Sequence, residues 1–527
     1  MYSVVKRTFV VFAALLSVLV IESRCSNILG VFPFGIKSHY IMFQSIMTEL
    51  ARRGHNVTVI NAFPKNSPQI NFTDIDVQEC SDVADLFDID VSYQFHNPFS
   101  QINLMVSEGV RMFEAGTMFG CESMKRFLNE DNSFDLIITE LFNGDVTLGL
   151  VDKFKAPHIA FCAGPIYPWG ADRMGNPSNP SYIPYPHTDE AFDRFHPTFY
   201  QRLYNTICYV LAETTYFYYS YSAEALTRKA LGSDLPPLEE IAKNTSLILS
   251  FSHFSLNAPI ALVPGVIEVA GVQIQKAKPL PKDFQKFIDE SEHGIIYFCM
   301  GSLLKLENMP ESKLAALIRA FSKLPQRVIW KWDGHLPGKT DRIFTAKWMP
   351  QRDILAHPKV KLFIGHGGAL GLNEAVYEGV PILGIPIFAD QTTNLRVLQA
   401  YGAAEILQYT DINNDTVLAK IRQVLQPEYS INMKKVSEIY KDRPMSAMDT
   451  AVYWIEYVIR HNGAHHLRTA AVHLPLYQYL LLDVIAFLLT VIFGGIFLTY
   501  YVLKKFFSCF TRKPSSDSKK QKSKKNK

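Results

Sequence analysis

The chain has 527 residues, too many for one ordinary hydrophobic core, so two or three domains are expected. Apolar residues make up 48% and charged residues 20%, which excludes a disordered chain. The net charge of +3 hides an asymmetry: residues 504–527 hold ten Lys or Arg and one acid, a charge of +9, which leaves −6 for the rest. This mildly acidic body argues against nucleic acid as a partner.

The first element in chain order is a predicted signal peptide, residues 1–25. Lys6 and Arg7 precede the apolar run Phe9–Ile21, and small or polar residues follow it. Because this run is short for a membrane span, cleavage near Cys25 is favoured over an uncleaved anchor.

Residues 26–273 form a predicted first α/β lobe. The strands expected in it are Ile28–Phe32, Val57–Ile60, Phe134–Thr139 and His158–Cys162. The amphipathic helix expected at Met42–Arg53 joins the first two strands into a βαβ unit, whose parallel strands need both faces covered. The aromatic stretch Tyr216–Tyr221 is interpreted as irregular, either a lid or wall of a lipophilic pocket or a packed core.

A linker is expected at residues 274–294, before a second lobe at residues 295–475. The strands predicted in that lobe are Ile295–Cys299, Val328–Trp332, Val360–Ile364 and Ile382–Ile385. Two α/β halves place a ligand crevice between them, outside the carboxyl ends of the strands.

The densest polar pattern is a strand, a Gly-rich turn at residues 365–368, and a helix expected at Gly371–Tyr377. Glycines at a helix start let backbone N–H groups approach an anion, and the helix dipole favours negative charge there. His366 can add a hydrogen bond to a phosphate oxygen. Each of these features alone is also explained by structure, so the interpretation depends on the combination.

The same block carries groups suited to the rest of a sugar nucleotide. Trp348 can stack on a base, and Gln351 can bind a base edge. The Glu374 carboxylate suits ribose hydroxyls, whereas Asp390 and Gln391 end a strand with an acceptor and a donor for sugar hydroxyls.

A membrane helix is predicted at Val484–Leu503, 20 residues without a charge. A helix of that length spans roughly 30 Å, the thickness of a bilayer core. The basic residues 504–527 that follow predict a cytosolic tail and a lumenal body, a type I orientation. The final residues Lys524–Lys527 resemble a dilysine signal for retrieval to the endoplasmic reticulum.

Seven cysteines without a CxxC pair do not predict a zinc site. At most two disulfides are possible among Cys80, Cys121, Cys162, Cys208 and Cys299, and the pairing stays open. Glycosylation is expected on the sequons of Asn71, Asn244 and Asn414, but not on Asn56, which is expected to be buried at the start of a strand.

Together these motifs resemble the UDP-glycosyltransferase family, in its membrane-bound animal branch and closest to arthropod members. The resemblance covers nearly the whole chain: Ser38-His39, Phe134-Asp135 leading to Glu140, Met300-Gly301-Ser302, the block Trp348–Gln391, and Tyr453–His461. It implies an α/β protein of two Rossmann-like lobes facing a cleft (GT-B type), with the acceptor in the first lobe and a C-terminal transmembrane helix. It also implies that the UDP-sugar donor binds to Ser302, Trp348, Gln351, His366, Gly368, Glu374, Asp390 and Gln391.

The resemblance further implies that His39 is the general base that takes the proton of the acceptor hydroxyl. An imidazole suits this role because its ordinary pKa of about 6.5 is near working pH. A carboxylate should orient the ring, as in a catalytic triad. The family usually has Asp where this chain has Glu140, and Asp145 is the alternative partner.

Two further departures weaken the predicted donor site. Gly365 stands where the family usually has Thr or Ser, and Leu370 stands where many members have Asn. Both changes remove a polar contact near the phosphates or the sugar.

No metal or other cofactor is expected, since the UDP-sugar is a co-substrate and helix-end donors can take the charge of the leaving UDP. The pairs Asp74/Asp76 and Asp88/Asp90 match the DxD pattern of metal-using glycosyltransferases. Neither precedes a sugar-nucleotide signature, so they are interpreted as solvated loop acids.

The sequence therefore predicts an inverting transferase of the endoplasmic reticulum that moves a hexose to small lipophilic hydroxyl acceptors, consistent with detoxification. Glucose is favoured over glucuronate because Asp390 would repel a carboxylate and arthropod members mostly use UDP-glucose. The alternatives are a glucuronosyltransferase and a non-catalytic membrane protein that binds UDP-sugar or lipophiles. A Rossmann dehydrogenase is disfavoured because no GxGxxG follows the first strand. The oligomeric state and the acceptor stay open.

Overall fold

The computed structural model describes residues 25–65, 67–80, 89–90, 118–142, 144–186, 192–193, 196–257, 259–302 and 304–511. The chain divides into two compact units between Thr469 and Ala470. Residues 1–24 of the predicted signal peptide, Asp88, and residues 512–527 of the basic tail lie outside the described residues, so the predictions made for them stay predictions.

The first lobe is built on a parallel seven-stranded sheet with the strand order β3-β2-β1-β5-β6-β7-β8. The strands of this half of the chain are β1 Asn27–Phe32, β2 Asn56–Asn61, β3 Phe72–Asp76, β4 Ile89–Asp90, β5 Leu136–Glu140, β6 His158–Cys162, β7 Leu247–Ser250 and β8 Val266–Glu268. Strands β5, β6 and β7 are buried at every position, because helices cover both faces. The strand order reverses between β1 and β5.

The second lobe repeats this design with a parallel six-stranded sheet of order β12-β11-β9-β13-β14-β15. Its half of the chain supplies β9 Ile295–Cys299, β10 Leu304–Lys305, β11 Arg327–Lys331, β12 Ile343–Ala346, β13 Val360–Gly365, β14 Ile382–Gly384 and β15 Ala404–Ile406. Here the order reverses between β9 and β13, and β10 pairs with β4 of the first half. The prediction of two Rossmann-like lobes is confirmed.

Helices fill the connections between strands. In the first half they are α1 Lys37–Arg52, α2 Glu122–Asn129, α3 Gly149–Phe154, α4 Pro168–Met174, α5 Phe199–Leu231, α6 Leu238–Lys243 and α7 Phe254–Asn257. In the second half they are α8 Lys282–Asp289, α9 Glu311–Ser322, α10 Gln351–Leu355, α11 Ala369–Glu378, α12 Gln391–Ala400, α13 Asn414–Val424, α14 Pro427–Lys441, α15 Ala447–Arg460, α16 Leu476–Tyr479 and α17 Leu482–Thr511.

The predicted strands agree with the observed ones to within two residues at either end, but one stretch was misinterpreted. The stretch Tyr216–Tyr221, expected to be irregular, lies inside α5, a helix of 33 residues. A capping box starts α5: the side chain of Thr198 accepts from the backbone N–H of Gln201, and the Gln201 side chain accepts from the backbone N–H of Thr198. The aromatic composition obscured this start signal.

The domain boundaries differ from the simple division into halves. In helix α15, Ala451, Val452 and Ile455 are buried in the same core cluster as strands of the first lobe. Arg53 also pairs with Asp449 of α15 at 2.5 Å. The last helix of the predicted second lobe therefore packs on the first, and within the predicted linker α8 buries Phe284 and Ile288 in the second-lobe core.

Three further sequence features have definite places. Cys80 and Cys121 form a disulfide. Asn71 and Asn244 are exposed and Asn414 is partly buried. Asn56 was expected to be buried, and this prediction was wrong: Asn56 is the first residue of β2 and is exposed.

The second compact unit contains α17, which includes the predicted span Val484–Leu503. Among the described residues, α17 is the one helix long and apolar enough to cross a membrane, and its side chains are exposed.

Candidate functional site

The two sheets present the carboxyl ends of their strands to a cleft between the lobes. Its cavity has a volume of about 340 Å³, within the usual range for small-molecule sites. His39 and Phe142 line it from the first lobe, and His366, Glu374 and Asp390 from the second. The strand order of each sheet reverses at this cleft, which is where open α/β sheets usually bind their ligands.

A histidine–carboxylate pair lies at the first-lobe reversal. Strand β5 ends at Glu140 beside β1, and α1 brings His39 to the same edge. The His39 Nδ1–H donates to Glu140 Oε1 across 2.6 Å. The Glu140 side chain is 1% exposed and His39 is 21% exposed. The Glu140 carboxylate is therefore buried behind the His39 ring, and Nε2 of that ring is available to a group in the cleft.

The His39 ring is also held by an aromatic contact. The Phe142 ring meets it edge-on with centroids 5.1 Å apart. Across the cleft, burial raises the pKa of Asp390, whereas a hydrogen bond from Asn394 and the charge of His39 act in the opposite direction. The charge of His39 therefore acts on Asp390 from the first lobe.

The alternative carboxylate does not serve His39. Asp145 pairs with Arg173 at 2.5 Å and accepts from the Tyr216 hydroxyl, also at 2.5 Å. Both residues of the ion pair are buried. Asp145 thus neutralises an internal arginine, and Glu140 is the partner of His39.

The predicted anion site of the second lobe is formed by two glycine loops around His366. Gly301 has φ +83°, and a Cβ there would lie 2.8 Å from the His366 ring. A Cβ on Gly368, the residue preceding α11, would lie 2.5 Å from His366 Nε2. Only glycines leave room for the ring in this position. Among the described residues, no hydrogen-bond partner reaches the buried His366 Nδ1.

A lysine that the sequence reasoning missed lies beside this ring. Lys331 ends β11, lines the cleft, and donates from Nζ to the Gly301 carbonyl at 2.5 Å. Burial, followed by the Lys331 charge, lowers the pKa of His366 to about 4. His366 is therefore neutral at physiological pH, and Lys331 supplies the positive charge. The sequence signal that could have identified Lys331 is a cation at the end of a predicted strand.

A hydrogen-bonded chain positions the next group. The Tyr297 hydroxyl donates to Gln351 Oε1 at 3.2 Å, and Gln351 Nε2 donates to Glu374 Oε2 at 2.7 Å. Burial raises the pKa of Glu374 to about 7, with the Gln351 bond opposing the shift. Gln351 thus orients the carboxyl group of Glu374, and no sequence motif indicated a role for Tyr297.

The remaining predicted donor residues divide into exposed and engaged groups. Trp348 is 61% exposed at the cleft, which leaves its indole face available for stacking. Ser302 is also exposed there. In contrast, Gln391 is buried, and its Oε1 accepts from the backbone N–H groups of Ile387 and Phe388. Gln391 therefore shapes the loop that carries Asp390.

The departures from the family pattern have local explanations. A Cβ on Gly365 would lie 2.7 Å from the Phe363 ring, which stacks on Tyr297. Leu370 packs against the core cluster that contains first-lobe strands. At positions 365 and 370, apolar packing thus takes the place of the polar side chain that the family usually has.

The first DxD pair lies on an outer strand. Asp74 and Asp76 are in β3 at the sheet edge, where Asp74 accepts from Asn61. Neither is among the residues that line the cleft in the described part of the chain.

A family model described as "UDP-glucoronosyl and UDP-glucosyl transferase" matches residues 28–517. The chain is 50% identical to "UDP-glycosyltransferase UGT5" of Dactylopius coccus, covering 91% of each chain. It is 40% identical to "UDP-glucosyltransferase 2" of the same insect, covering 97% of this chain and 98% of the relative. It is 32% identical to "UDP-glucuronosyltransferase 2B7" of Homo sapiens, covering 88% and 90%.

Solved structures share the fold. A UDP-glucose:anthocyanidin 3-O-glucosyltransferase in complex with UDP aligns with a TM-score of 0.55 at 16% identity, covering 82% of this chain and 99% of that one. The calicheamicin glycosyltransferase CalG4 aligns with a TM-score of 0.54, also at 16% identity, covering 83% and 99%.

The Tyr297–Gln351–Glu374 chain generates a test. Tyr297→Phe removes one neutral hydrogen bond onto Gln351, which is worth about 0.5–1.5 kcal/mol, so UDP affinity should fall about 2- to 10-fold. Calorimetric titration of the full chain with UDP measures this change. The matched control is Tyr401→Phe, an exposed tyrosine on the second lobe. Equal affinity for the wild type and Tyr297→Phe would show that Tyr297 does not position Gln351 for a nucleotide.

Proposed function

Because the chain belongs to the UDP-glycosyltransferase family, we propose that it transfers a hexose from a UDP-sugar to a hydroxyl group of a small lipophilic acceptor. The observation that carries this proposal is the 2.6 Å contact between His39 and Glu140 at the cleft. The pair faces the glycine loops and His366 of the other lobe across one cavity. A base and an anion site in one cleft are the two groups that such a displacement needs.

His39 acts as the general base. In the neutral ring, the Nδ1–H bond to Glu140 leaves a lone pair on Nε2, which can accept the proton of the acceptor hydroxyl. The acceptor oxygen then attacks the anomeric carbon as the bond to UDP breaks, so UDP leaves with the bonding electron pair and the configuration inverts. The buried Glu140 carboxylate stabilises the imidazolium until its proton is released.

The second lobe binds the donor. Trp348 stacks on the uracil, and the Gln351–Glu374 pair binds the ribose hydroxyls. The diphosphate lies against the Gly368 backbone N–H, His366, Ser302 and Lys331. Asp390 accepts hydrogen bonds from the sugar, with Gln391 supporting its loop.

We expect no metal in this reaction, because the groups that contact the diphosphate stabilise the charge on the departing UDP. Backbone N–H groups at a helix start favour an anion, and Lys331 adds a full positive charge beside His366. Charge stabilisation of this kind is usually the largest contribution to such catalysis.

The acceptor side of the cleft is apolar. Ile41, Met42, Phe142 and Tyr167 line it near His39. A small lipophilic alcohol or phenol suits such a surface, because burying its rings there is favourable and its hydroxyl meets the base.

The proposed location is the membrane of the endoplasmic reticulum, with both lobes in the lumen. Helix α17 and the basic residues after it support a type I orientation. The Cys80–Cys121 disulfide supports an oxidising compartment. Glycosylation of Asn71, Asn244 and Asn414 belongs to the same proposal.

The role of His39 is tested by separating transfer from binding. His39→Ala should lower the transfer rate by about 10²–10⁴, the usual loss for a general base, while UDP affinity stays within a few-fold. His366→Ala should instead weaken UDP binding, and the exposed His461→Ala is the matched control. Near-normal turnover by His39→Ala would contradict the assignment.

Glucose is the proposed donor sugar. The Asp390 carboxylate would repel a glucuronate carboxylate but accepts hydrogen bonds from glucose hydroxyls. Three Lys or Arg side chains line the described cleft: Lys331 is bonded to the Gly301 carbonyl, Arg352 pairs with Glu378, and Lys37 lies over the Phe63 ring. The 40%-identical relative is named a glucosyltransferase, and the glucuronosyltransferase relatives are 30–32% identical.

Competition between UDP-glucose and UDP-glucuronate for one phenolic acceptor measures this preference. We expect a higher kcat/KM for UDP-glucose. Asp390→Asn should lower the ratio of kcat/KM for UDP-glucose to that for UDP-glucuronate, because it removes the charge that repels the glucuronate carboxylate. A higher kcat/KM for UDP-glucuronate in the wild type would show that glucose is not the preferred donor sugar. It would leave the transferase proposal intact.

A further inference from the structure

The wall that the first lobe contributes to the cleft is basic. Its polar part is residues 37–39 at the start of α1, and the other residues described there are apolar, aromatic or glycine. Lys37 is the one Lys or Arg on this described wall, which contains no Asp or Glu. The acids that line the described cleft, Asp353, Glu374 and Asp390, all belong to the second lobe. No lining acid of the first lobe therefore offsets the charge of Lys37.

The Lys37 ammonium has aromatic neighbours but no acceptor. It lies 4.5 Å from the centroid of the Phe63 ring and 5.9 Å from that of Tyr40. Among the described residues, no carboxylate or carbonyl pairs with it. Partial burial lowers the pKa of Lys37, and no charge in the described structure opposes that shift. An aromatic face attracts the positive charge, but it does not accept the three N–H donors as carboxylate oxygens would.

The other two cations of the described cleft are already engaged. Lys331 donates to the Gly301 carbonyl at 2.5 Å, and Arg352 pairs with Glu378 at 2.7 Å. Both belong to the second lobe, which binds the donor in the proposed reaction. Lys37 is therefore the cation of the described cleft whose N–H groups the protein leaves to a ligand.

A second lysine of the first lobe shows what a structural role looks like. Lys65 is half-buried like Lys37, and its ammonium lies 3.9 Å from the centroid of the Phe72 ring. Lys65 also donates to Thr48 Oγ1 at 2.9 Å, and it is not among the residues that line the described cleft. Both lysines stack on a ring, but only Lys37 combines this contact with unpaired donors and a place in the cleft.

We propose that Lys37 binds a carboxylate of the acceptor, so that hydroxylated acids with an apolar skeleton are the preferred acceptors. This inference rests on the proposed transferase function and names the acceptor class of the same site. Lys37 and His39 are two residues apart in α1, which separates their Cα atoms by roughly 5.5 Å. An acceptor whose hydroxyl meets His39 can therefore extend its carboxylate to Lys37, with the apolar lining of Ile41 and Phe142 against its skeleton.

This pairing favours an acid over a neutral analogue of the same shape. Covering an ammonium with a bound ligand is costly unless an opposite charge or new acceptors replace the lost water. A carboxylate supplies both, through hydrogen bonds that the charge strengthens. An ester leaves the ammonium facing apolar atoms, and a site built to pair a polar group rejects analogues that lack its partner.

The test compares acids with their methyl esters on the full chain in detergent. The acceptors are para-hydroxyphenylacetate and para-hydroxyphenylpropanoate, each beside its ester, so that charge and reach vary while the phenol is kept. Lys37→Met removes the charge and keeps a long side chain, whereas Lys37→Arg restores a cation. The matched control is Lys65→Met, which removes a half-buried lysine and its ring contact outside the described cleft. UDP affinity verifies the fold of each variant.

We expect Lys37→Met to lower the acid-to-ester ratio of kcat/KM about tenfold for at least one acid, as the loss of a hydrogen bond to a charged group implies. The loss should appear in KM with kcat little changed, because the carboxylate binds away from the reacting atoms. Lys37→Arg should keep the ratio within about threefold of the wild type, because a guanidinium also pairs with a carboxylate. Lys65→Met should leave the ratio unchanged.

Two results would overturn the role of Lys37. One is an unchanged acid-to-ester ratio for both acids in Lys37→Met, and the other is transfer of the sugar to the carboxylate itself, which would give an ester-linked product. If the wild type forms no glycoside from any acceptor, the transferase proposal fails instead. Calorimetric titration of the acids in the presence of UDP then still tests Lys37: weaker binding of the acids by Lys37→Met supports the inference, and equal binding contradicts it.

Discussion

The candidate site is organised around one hydrogen bond, from His39 to Glu140. Its two residues are 101 positions apart in sequence, and they meet because β1 and β5 are parallel neighbours whose carboxyl ends lie at one edge of the sheet. The strand order reverses at this point, which opens a crevice above the pair. The fold thereby converts a helix-start histidine and a buried carboxylate into a base facing a cavity.

The opposite wall of the cleft obeys a constraint of space. The His366 ring fits between Gly301 and Gly368, where any Cβ would collide with it. Because burial and Lys331 keep His366 neutral, the wall offers a hydrogen bond from the ring and a charge from the lysine. Base and anion site belong to different lobes, so the helix α15 that returns to the first lobe helps to hold both parts of the site together.

Local patterns predicted eight of the fifteen strands that the structure describes, and part of the site. Buried parallel strands are short apolar runs with polar ends, so His366 could be placed after a strand from its local pattern, whereas His39 and Glu140 were expected from the family resemblance. Contacts between residues that are distant in sequence could not be predicted from local patterns. Tyr297 contacts Gln351 across 54 positions, and α15 packs on the first lobe although it follows all strands of the second sheet in the chain. The aromatic richness of α5 hid a helix, because apolar side chains on both its exposed and its packed faces remove the amphipathic pattern.

The central step of the proposed reaction is a single displacement in this cleft. Its most direct test is the stereochemistry and stoichiometry of the product that the full-length chain forms from UDP-α-glucose and a phenol, followed by NMR. A single displacement yields a β-glucoside, with one UDP released for each glucoside formed. Bound UDP-glucose without any glucoside would identify a non-catalytic binder, and an α-glucoside would contradict direct displacement with His39 as the base.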